Sequence, residues 1–428
     1  MTLTKKKMVA LSVILLLLIT AVVLTIVLRP RLTYRLSGDT SYYTVTGVEG
    51  LAVSVSIPKT YKGTPVKYID NYAFQDQTFL RKISIPNGVK SIGLFAFQNC
   101  SNLREITIPD SVTLIKSNAF ASCRSLHTVS FGKGLTEISD AAFYGCDALT
   151  SLTIPAEVRS IGPKAFYGCS SLVEVSLSEK VSLGAEVFAF CDNLCEISGS
   201  ISELGRGVFW GTPLEEKSEN WQDGILYILN CAAERSLPRE HITVRDGTVA
   251  IADHLFDYSS IDKSLNDVKP IKSITLPSTL KHIGFEAFRN CDTLTELIIP
   301  EGVETIDTYA FADCTKLSRV SLPSTVKQIS TSAFDGCSAI THVTFAEGSK
   351  HIDGVLFMDS ERIMYLNVPK SATYLFVGFL HIYPQDIHVE EPTGWVNEKT
   401  GEPVDLTSLL QSGNIPQAPL VKPSAEAE

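Results

Sequence analysis

The side chains of this chain with the most obvious chemistry are its ten cysteines, because a thiol can form a disulfide, bind a metal or act as a nucleophile. Eight of them each follow a phenylalanine by three residues: Cys100, Cys123, Cys146, Cys169, Cys191, Cys291, Cys314 and Cys337. Stacked positions in a parallel solenoid keep Cβ atoms about 4.8 Å apart, whereas a disulfide needs about 3.8 Å. The register therefore predicts a ladder of free, buried thiols. Cys195 and Cys231 lie outside this ladder and could pair with each other, although nothing in the sequence requires it.

The remaining candidates for catalysis or metal binding form no recognisable motif. The eight histidines contain no His-Glu-x-x-His spacing, and the cysteines contain no Cys-x-x-Cys spacing. The chain also lacks a Gly-x-Ser-x-Gly elbow and a phosphate-binding glycine loop. We therefore predict no catalytic residue, no metal and no cofactor, and expect a protein that is not an enzyme.

The elements that position the cysteines come from a 23-residue period. The dipeptide Ala-Phe marks it, with phenylalanines at Phe74, Phe97, Phe120, Phe143 and Phe166, and again at Phe288, Phe311 and Phe334. In each period a short strand such as 103–108 ends at a proline, and the chain then returns towards the next Ala-Phe pair. A fixed period of this length indicates a solenoid of the leucine-rich type. We predict a β-rich leucine-rich-repeat solenoid of parallel, right-handed β coils, with these phenylalanines and the cysteines stacked inside.

The N-terminus predicts a membrane anchor. Lys5, Lys6 and Lys7 precede an uncharged stretch, 8–28, that is long enough as a helix to cross the roughly 30 Å hydrocarbon core of a bilayer. No small-x-small cleavage site follows, which favours an uncleaved signal anchor over a cleaved signal peptide. By the positive-inside rule, we predict a single-pass cell-membrane protein with a cytoplasmic N-terminus, a transmembrane helix at 8–28 and residues 32–428 outside the cytoplasm.

Breaks in the period and in composition divide the chain into six predicted parts. They are a cytoplasmic stub and signal anchor (1–31), an N-terminal cap (32–52), a first repeat block (53–211), an irregular insert with a degenerate repeat (212–270), a second repeat block with a C-terminal cap (271–386) and a flexible, acidic, proline-rich tail (387–428). The net charge is −10 at pH 7, with every acidic residue beyond position 31. Such an acidic body argues against a nucleic-acid partner, which would need a basic footprint.

Two sets of residues are candidates for partner binding. The outward strand positions form a flat face of small polar and acidic residues, among them Glu105, Thr107, Ser130, Thr153 and Glu174. Aromatic residues, which are favoured at binding hot spots, gather instead within 205–262, as Trp210, Trp221, Tyr227 and Tyr258. Both sets have a purely structural alternative. Serine and threonine are ordinary residues of a solvated sheet, and the aromatic residues could fill the core where the repeat is irregular.

The repeat unit Leu-x-x-Ile-x-Ile-Pro-x-x-Val-x-x-Ile-x-x-x-Ala-Phe-x-x-Cys resembles the BspA-type leucine-rich repeats over about residues 50–380. The inserts Asp-Gly-Ile-Leu-Tyr at 223–227 and Asp-Gly-Val-Leu-Phe at 353–357 are also similar to those of that family. The resemblance implies a bacterial surface protein, and some members are adhesins that bind host matrix proteins or other cells. It implies no catalytic residues.

We therefore expect a membrane-anchored cell-surface protein that binds proteins of a host or of neighbouring cells. One alternative is a scaffold of the producing cell's own envelope. Another is a secreted, ligand-sensing subunit.

Overall fold

The computed structural model describes residues 30–177, 180–236, 239–258, 270–357, 359, 363–376, 387–389, 394–406 and 419–422. They divide into two compact units. Unit 1 holds the described residues up to Gly199 together with Phe209–Glu216, and unit 2 holds Ser200–Val208 and the described residues from Lys217 onward.

The strands of unit 1 are mostly two or three residues long. In chain order they are β1 (Arg31–Leu36), β2 (Tyr43–Glu49), β3 (Ser54–Ser56), β4 (Thr60–Tyr61), β5 (Thr64–Ile69), β6 (Lys82–Ser84), β7 (Ser91–Ile92), β8 (Glu105–Thr107), β9 (Leu114–Ile115), β10 (Thr128–Ser130), β11 (Glu137–Ile138), β12 (Ser151–Thr153), β13 (Ser160–Ile161), β14 (Glu174–Ser176), β15 (Val181–Leu183) and β16 (Glu196–Ser198). A four-residue helix, α1 (Pro213–Glu216), also belongs to unit 1.

The strands of unit 2 continue the series. They are β17 (Ile201–Leu204), β18 (Trp221–Gln222), β19 (Ile225–Ile228), β20 (Cys231–Arg235), β21 (His241–Thr243), β22 (Ala250–Ile251), β23 (Ser273–Thr275), β24 (His282–Ile283), β25 (Glu296–Ile298), β26 (Thr305–Ile306), β27 (Arg319–Leu322), β28 (Gln328–Ile329), β29 (His342–Phe345), β30 (His351–Asp353), β31 (Tyr365–Val368), β32 (Tyr374–Phe376), β33 (Ile387–Val389), β34 (Trp395–Asn397), β35 (Pro403–Val404) and β36 (Leu420–Val421). Two short 3₁₀ turns lie at Ser218–Asn220 and Gly354–Phe357.

Each 23-residue repeat adds one short strand on each of two faces, so the repeats form the predicted solenoid, with about 14 turns among the described residues. In unit 1, β3, β6, β8 and β10 pair side by side, as do β12, β14 and β16, while β5, β7, β9, β11, β13 and β15 form the second sheet. The register follows the period, because Ile106 lies opposite Val129 and Ile115 lies opposite Ile138. Every turn therefore repeats the contacts of the turn before it.

The core of each turn is built around the Ala-Phe pair. The amide of Phe97 donates a 2.7 Å hydrogen bond to the carbonyl of Ala119 in the next turn, and the rings of Phe97 and Phe120 stack with centroids 5.0 Å apart. The thiol of Cys123 donates to the carbonyl of Phe97 at 3.2 Å. The corresponding thiol-to-carbonyl bond recurs in all eight ladder positions at 3.1–3.5 Å. Cysteine therefore supplies both a small apolar volume and a donor for a buried carbonyl.

Short antiparallel strands lie at the two ends of the described chain. β1 and β2 form an antiparallel pair in the region predicted as a cap. At the other end, β34 pairs antiparallel with β35 and β36, and β36 pairs with β32. Trp395 and Leu420 are buried there. The predicted flexible tail from residue 387 is therefore corrected for its described parts, since a few apolar residues in a proline-rich composition are enough to form a cap.

The predicted N-terminal transmembrane helix is overturned. A membrane span needs about 20 apolar residues in one helix. In the described part of the chain no helix is long and apolar enough to cross a membrane, and α1 has four residues. The single-pass localisation and the membrane contact through residues 8–28 fall with it. That segment itself lies outside the described residues.

The repeat is interrupted within unit 2, where the sequence predicted an irregular insert. β18 and β19 form a hairpin around Asp223 and Gly224, whose φ angles of 52° and 79° suit a tight two-residue turn. β19 then pairs antiparallel with β20, and parallel pairing resumes between β20 and β22. Residues 259–269 of the predicted irregular part, 212–270, lie outside the described residues.

Candidate partner-binding surfaces

The strand face of unit 1 presents the polar residues that the sequence singled out. Glu105 and Thr107 are the exposed ends of β8, and the residue between them is buried. Ser130, Thr153 and Glu174 are likewise exposed at the ends of their strands. A 3.0 Å ion pair joins Lys82 to Glu105, and this hydrogen-bonded cation holds the pKa of Glu105 below its usual value. The face is flat, hydrated and held in register by the sheet.

A second surface of unit 1 is aromatic, and it lies beside the Ala-Phe turns. We call it the aromatic stripe and define it as Tyr144, Tyr167 and Phe190. The rings of Tyr144 and Tyr167 stack at 5.1 Å between centroids, and Phe190 continues the row 5.2 Å from Tyr167. Tyr144 is 39% and Phe190 46% exposed. The stripe therefore offers a rigid apolar surface to solvent on three successive turns.

The fold does not require aromatic residues at these places. Tyr144 and Tyr167 directly follow a core phenylalanine, and the same place in other turns is occupied by Gln98, Ala121 and Ala189. The backbone hydrogen bonds of the turn are the same in either case. The stripe is thus an addition to the solenoid and not part of its core.

The aromatic residues predicted within 205–262 have different environments. Tyr227 and Tyr258 are 3% and 6% exposed, so they offer almost no area to a partner. The hydroxyl of Tyr227 accepts a 3.0 Å hydrogen bond from the amide of Arg245. The guanidinium of Arg235 lies 4.9 Å from the ring centre of Tyr258, and burial raises the pKa of that tyrosine to about 12. These two side chains fill the core where the repeat is irregular.

The two tryptophans of that region are half-buried and belong to different units. Trp210 is in unit 1, where its carbonyl accepts a hydrogen bond from the amide of Phe190, the last residue of the aromatic stripe. Trp221 is in unit 2, at the start of β18. The structure therefore brings Trp210, and not the tyrosines, next to an exposed aromatic surface.

Reasoning from the sequence missed the aromatic stripe. A signal was present, since Tyr144 and Tyr167 are one full period apart and each follows a core phenylalanine. Phe190 in turn follows Tyr167 by the same 23 residues, because the core repeat between them is one residue shorter and Phe190 lies two residues after Phe188. The 23-residue spacing therefore links all three residues, and the stacked turns show that their rings lie next to one another.

The ladder thiols are not a reactive site in the folded chain. The ten cysteines, all of which lie within the described residues, are thiols and not disulfides, and the eight of the ladder are buried. Burial raises the pKa of Cys100 to about 12, which keeps it protonated at neutral pH. Cys195, outside the ladder, is half-buried.

Comparison with known proteins gives a family. A model of the BspA type leucine rich repeat region matches residues 90–215 and 259–376, in six copies. No match was found among curated proteins.

Several solved structures are similar to this chain. A leucine-rich repeat protein of T. pallidum is 31% identical, and the alignment covers 42% of this chain and 86% of that one, with a TM-score of 0.40. One from Bacteroides ovatus is 25% identical over 80% of this chain and 97% of that one, with a TM-score of 0.41. A leucine rich cell surface protein of Faecalibacterium prausnitzii is 24% identical over 74% and 93%, with a TM-score of 0.36. With TM-scores at these values, the family assignment rests on the family model.

Proposed function

Because the chain belongs to the BspA-type leucine-rich repeat family, we propose that it is a protein-binding module that acts in adhesion, by holding proteins of a host or of neighbouring cells. Leucine-rich repeat proteins are in general binding scaffolds without enzymatic activity, and no catalytic family matches this chain. A stack of identical turns gives such a scaffold a long, rigid surface on which side chains can vary freely.

The observation that carries the proposal is the aromatic stripe. Stacked aromatic residues that the fold does not need, exposed on three successive turns, are the kind of surface that forms the centre of a protein interface. Their neighbours hold the rings in place: the ammonium of Lys164 lies 5.8 Å from the centre of the Tyr167 ring and pairs with Glu186 at 3.5 Å. A partner that covers the stripe loses little side-chain entropy there, because the rings are already stacked.

The strand face is the competing surface. Glu105 and Glu174 give it an acidic character, and it is the surface that the sequence alone favoured together with the aromatic region. Rim charges of this type mainly affect the rate of association, whereas a desolvated aromatic centre sets the affinity. We therefore place the contact that dominates affinity on the stripe.

The experiment is a binding study with the purified full chain. Crosslinking capture from host matrix proteins, and separately from the producing cell's envelope extract, identifies the partner by mass spectrometry. Affinity for that purified partner is then measured for the wild type and for a stripe variant carrying Tyr144→Ser, Tyr167→Ser and Phe190→Ser. Phe79→Ser, at a phenylalanine that is 62% exposed in the same unit, is the matched control.

We expect the stripe variant to bind on the order of 100-fold or more weakly, since two hot-spot residues of about 2 kcal/mol each already exceed that factor. Phe79→Ser should bind like the wild type. If Glu105→Lys with Glu174→Lys abolishes binding while the stripe variant binds normally, the strand face is the interface. Capture of envelope proteins alone would replace adhesion by a scaffold of the cell's own envelope, and no saturable capture would end the proposal.

A further inference from the structure

Unit 2 contains a cluster of three potential metal ligands that no motif in the sequence announces. His254, Asp257 and Glu286 each direct one ligand atom at the same point, and these three atoms all lie within 4.8 Å of one another. Within the described residues they are the one group of three such side chains that converges in this way. Asp257 is buried, and His254 and Glu286 are half-buried, so the point is shielded but reachable from solvent.

The backbone of two adjacent turns sets this convergence. His254 and Glu286 occupy the same place in their turns, two residues before the stacked rings of Phe256 and Phe288. Both residues have left-handed backbone conformations, with φ of 57° and 52°. The amide of His254 donates to the carbonyl of Phe285 at 2.9 Å, which holds the two turns in register. The side chains therefore meet without any rearrangement of the backbone.

The distances fit a bound divalent cation. Nδ1 of His254 lies 3.2 Å from Oε2 of Glu286 and 3.6 Å from Oδ2 of Asp257. Ligands at about 2.1 Å from a tetrahedral metal are separated from each other by about 3.4 Å. One imidazole nitrogen and two carboxylate oxygens are a ligand set that suits Zn²⁺ and related first-row ions, with a fourth position left for water.

A second observation points to a missing ligand. Nδ1 of His254 is buried and has no hydrogen-bond partner in the described part of the chain, although a carboxylate oxygen is 3.2 Å away. Buried polar atoms are normally satisfied, and an unsatisfied one is commonly explained by an ion or a water molecule that binds there. A metal at the point of convergence would satisfy this nitrogen.

Groups around the cluster hold the ligands in place. Glu286 uses its other oxygen, Oε1, to accept a 2.7 Å hydrogen bond from Arg289, which leaves Oε2 directed at His254. Arg289 in turn pairs with Asp313 at 3.1 Å. Arg235 donates to the backbone carbonyl of Asp257 at 2.8 Å. Partners of this kind fix the orientation of ligating carboxylates in metal sites.

We propose that His254, Asp257 and Glu286 bind a divalent first-row cation of the Zn²⁺ class, which clamps two adjacent turns where the repeat is interrupted. These turns are further apart in sequence than the regular period, because of the insertion between them. The place of the ladder cysteine in the first of these turns is taken by a serine. The metal would supply a link between turns at the point where the regular ladder is incomplete, and its binding would stabilise the folded state by mass action.

The test is a titration of the untagged, chelator-treated full chain with ZnCl₂ by isothermal calorimetry, repeated with Co²⁺ for its visible absorption. All variants carry Cys195→Ser, which removes the half-buried thiol as a competing ligand. His254→Gln and Glu286→Gln remove one ligand each. Asp246→Asn is the matched control, because it removes one carboxylate at an exposed position of the same unit and leaves the three ligands and Arg289 unchanged. Thermal melts without metal show that each variant is folded.

We expect one Zn²⁺ per chain, a melting temperature that rises with Zn²⁺, and Co²⁺ absorption bands. His254→Gln and Glu286→Gln should each bind at least about tenfold more weakly and lose the thermal shift. Asp246→Asn should keep both the affinity and the thermal shift. The proposal is overturned if the wild type shows no saturable binding or if the two ligand variants bind like the wild type. It is overturned equally if Asp246→Asn weakens binding as much as the ligand variants do, since the effect would then come from the overall charge of the unit.

Discussion

The regular turns of unit 1 and the interrupted turns of unit 2 use the same backbone but fill their interiors differently. In unit 1, the Ala-Phe pairs from Phe97 to Phe166 and the ladder cysteines from Cys100 to Cys191 are almost completely buried. The ionisable side chains among the buried polar residues, Asp257 and His282, both lie in unit 2. In unit 2 such side chains can pair with groups on a neighbouring turn. Nε2 of His282, for example, lies 3.5 Å from Oδ2 of Asp307.

The difference shows what an exact period provides. With a constant number of residues per turn, each buried group meets the same group one turn away. Apolar side chains and hydrogen bonds between equivalent groups are then enough to fill the interior and to pair its polar atoms. Where an insertion lengthens the step, neighbouring turns need not match, and unlike groups face each other. Such places can bury charge only in pairs or networks, because an isolated buried charge is very unfavourable.

The largest effect that we predict is a difference in the rate of alkylation between buried and half-buried cysteines. It tests whether a position in the ladder or burial alone protects a thiol from alkylation. Burial raises the pKa of both Cys100, in the ladder of unit 1, and Cys231, in the interrupted region, to about 12. In native protein at about pH 8, both should be alkylated by iodoacetamide on the order of a thousandfold more slowly than the half-buried Cys195.

Pulse alkylation followed by peptide mass spectrometry measures these rates. Unfolding in urea should bring the three rates together. If Cys231 reacts as fast as Cys195 in the native protein, then the ladder and not burial protects thiols.

Phe143→Ala tests the regular core of unit 1. The ring stacks on Phe120 at 5.0 Å and on Phe166 at 5.2 Å, so its removal leaves a cavity with ordered walls. We expect a loss of about 3–5 kcal/mol in the free energy of unfolding, measured by urea denaturation. Tyr144→Ala, at the exposed neighbouring position, should lose far less. Equal losses would mean that the phenylalanine ladder does not dominate the stability of these turns.

Asp253→Asn tests how the partly buried carboxyl group of Asp253, in unit 2, makes the stability of the protein depend on pH. Burial raises the pKa of Asp253 from 3.8 to about 7. The folded state thus retains a proton that the unfolded state loses above about pH 4, so stability from this group falls as the pH rises from about 4 to about 7. Asparagine does not titrate, and it should make the protein relatively more stable above pH 7, by at most about 4 kcal/mol.

The measurement is the difference in free energy of unfolding between Asp253→Asn and wild type across this pH range, with a chelator present throughout. Asp246→Asn, at an exposed position of the same unit, is the control. A difference that is constant with pH would show that Asp253 is ionised in the folded protein, and that unit 2 tolerates a buried charge without neutralising it.

Glu105→Gln should have the smallest effect. Glu105 and Lys82 form a 3.0 Å ion pair, but their side chains are 56% and 66% exposed, and solvent screens such pairs. We expect no measurable change in melting temperature at high salt. A clear loss that persists at high salt would indicate that the strand face of unit 1 contributes to stability beyond its backbone pairing.

Much of the fold could be predicted because the evidence for it is repeated in the chain. One Ala-Phe pair would mean little, but its return at a fixed interval predicts parallel pairing, the strand positions and the buried phenylalanines at once. The cap at the C-terminal end could not be found in this way, since β34, β35 and β36 occur once each and their composition is typical of a tail. The predicted anchor at 8–28 rested on hydropathy alone, with no repeat to support it, and this segment lies outside the described residues.

The candidate binding residues also divide into those that the sequence pattern could place and those that it could not. Exposed strand residues such as Thr107 follow directly from the two-residue alternation of a strand. The burial of Tyr227 and Tyr258 does not, because composition cannot distinguish an aromatic residue that fills a gap in the core from one that faces a partner.

By itself, the sequence determined that this protein is a solenoid and which side chains form its ladder. The physical reason is that residues one period apart occupy equivalent positions in successive turns. Only the tertiary structure decided which residues meet across turns where the period slips. Phe190 lies beside Tyr167 although the core phenylalanines of their turns are one residue closer in sequence than the regular period, and His254 meets Glu286 across an insertion. The physical reason is that backbone hydrogen bonds align turns in space, and insertions between them change sequence spacing without changing that alignment.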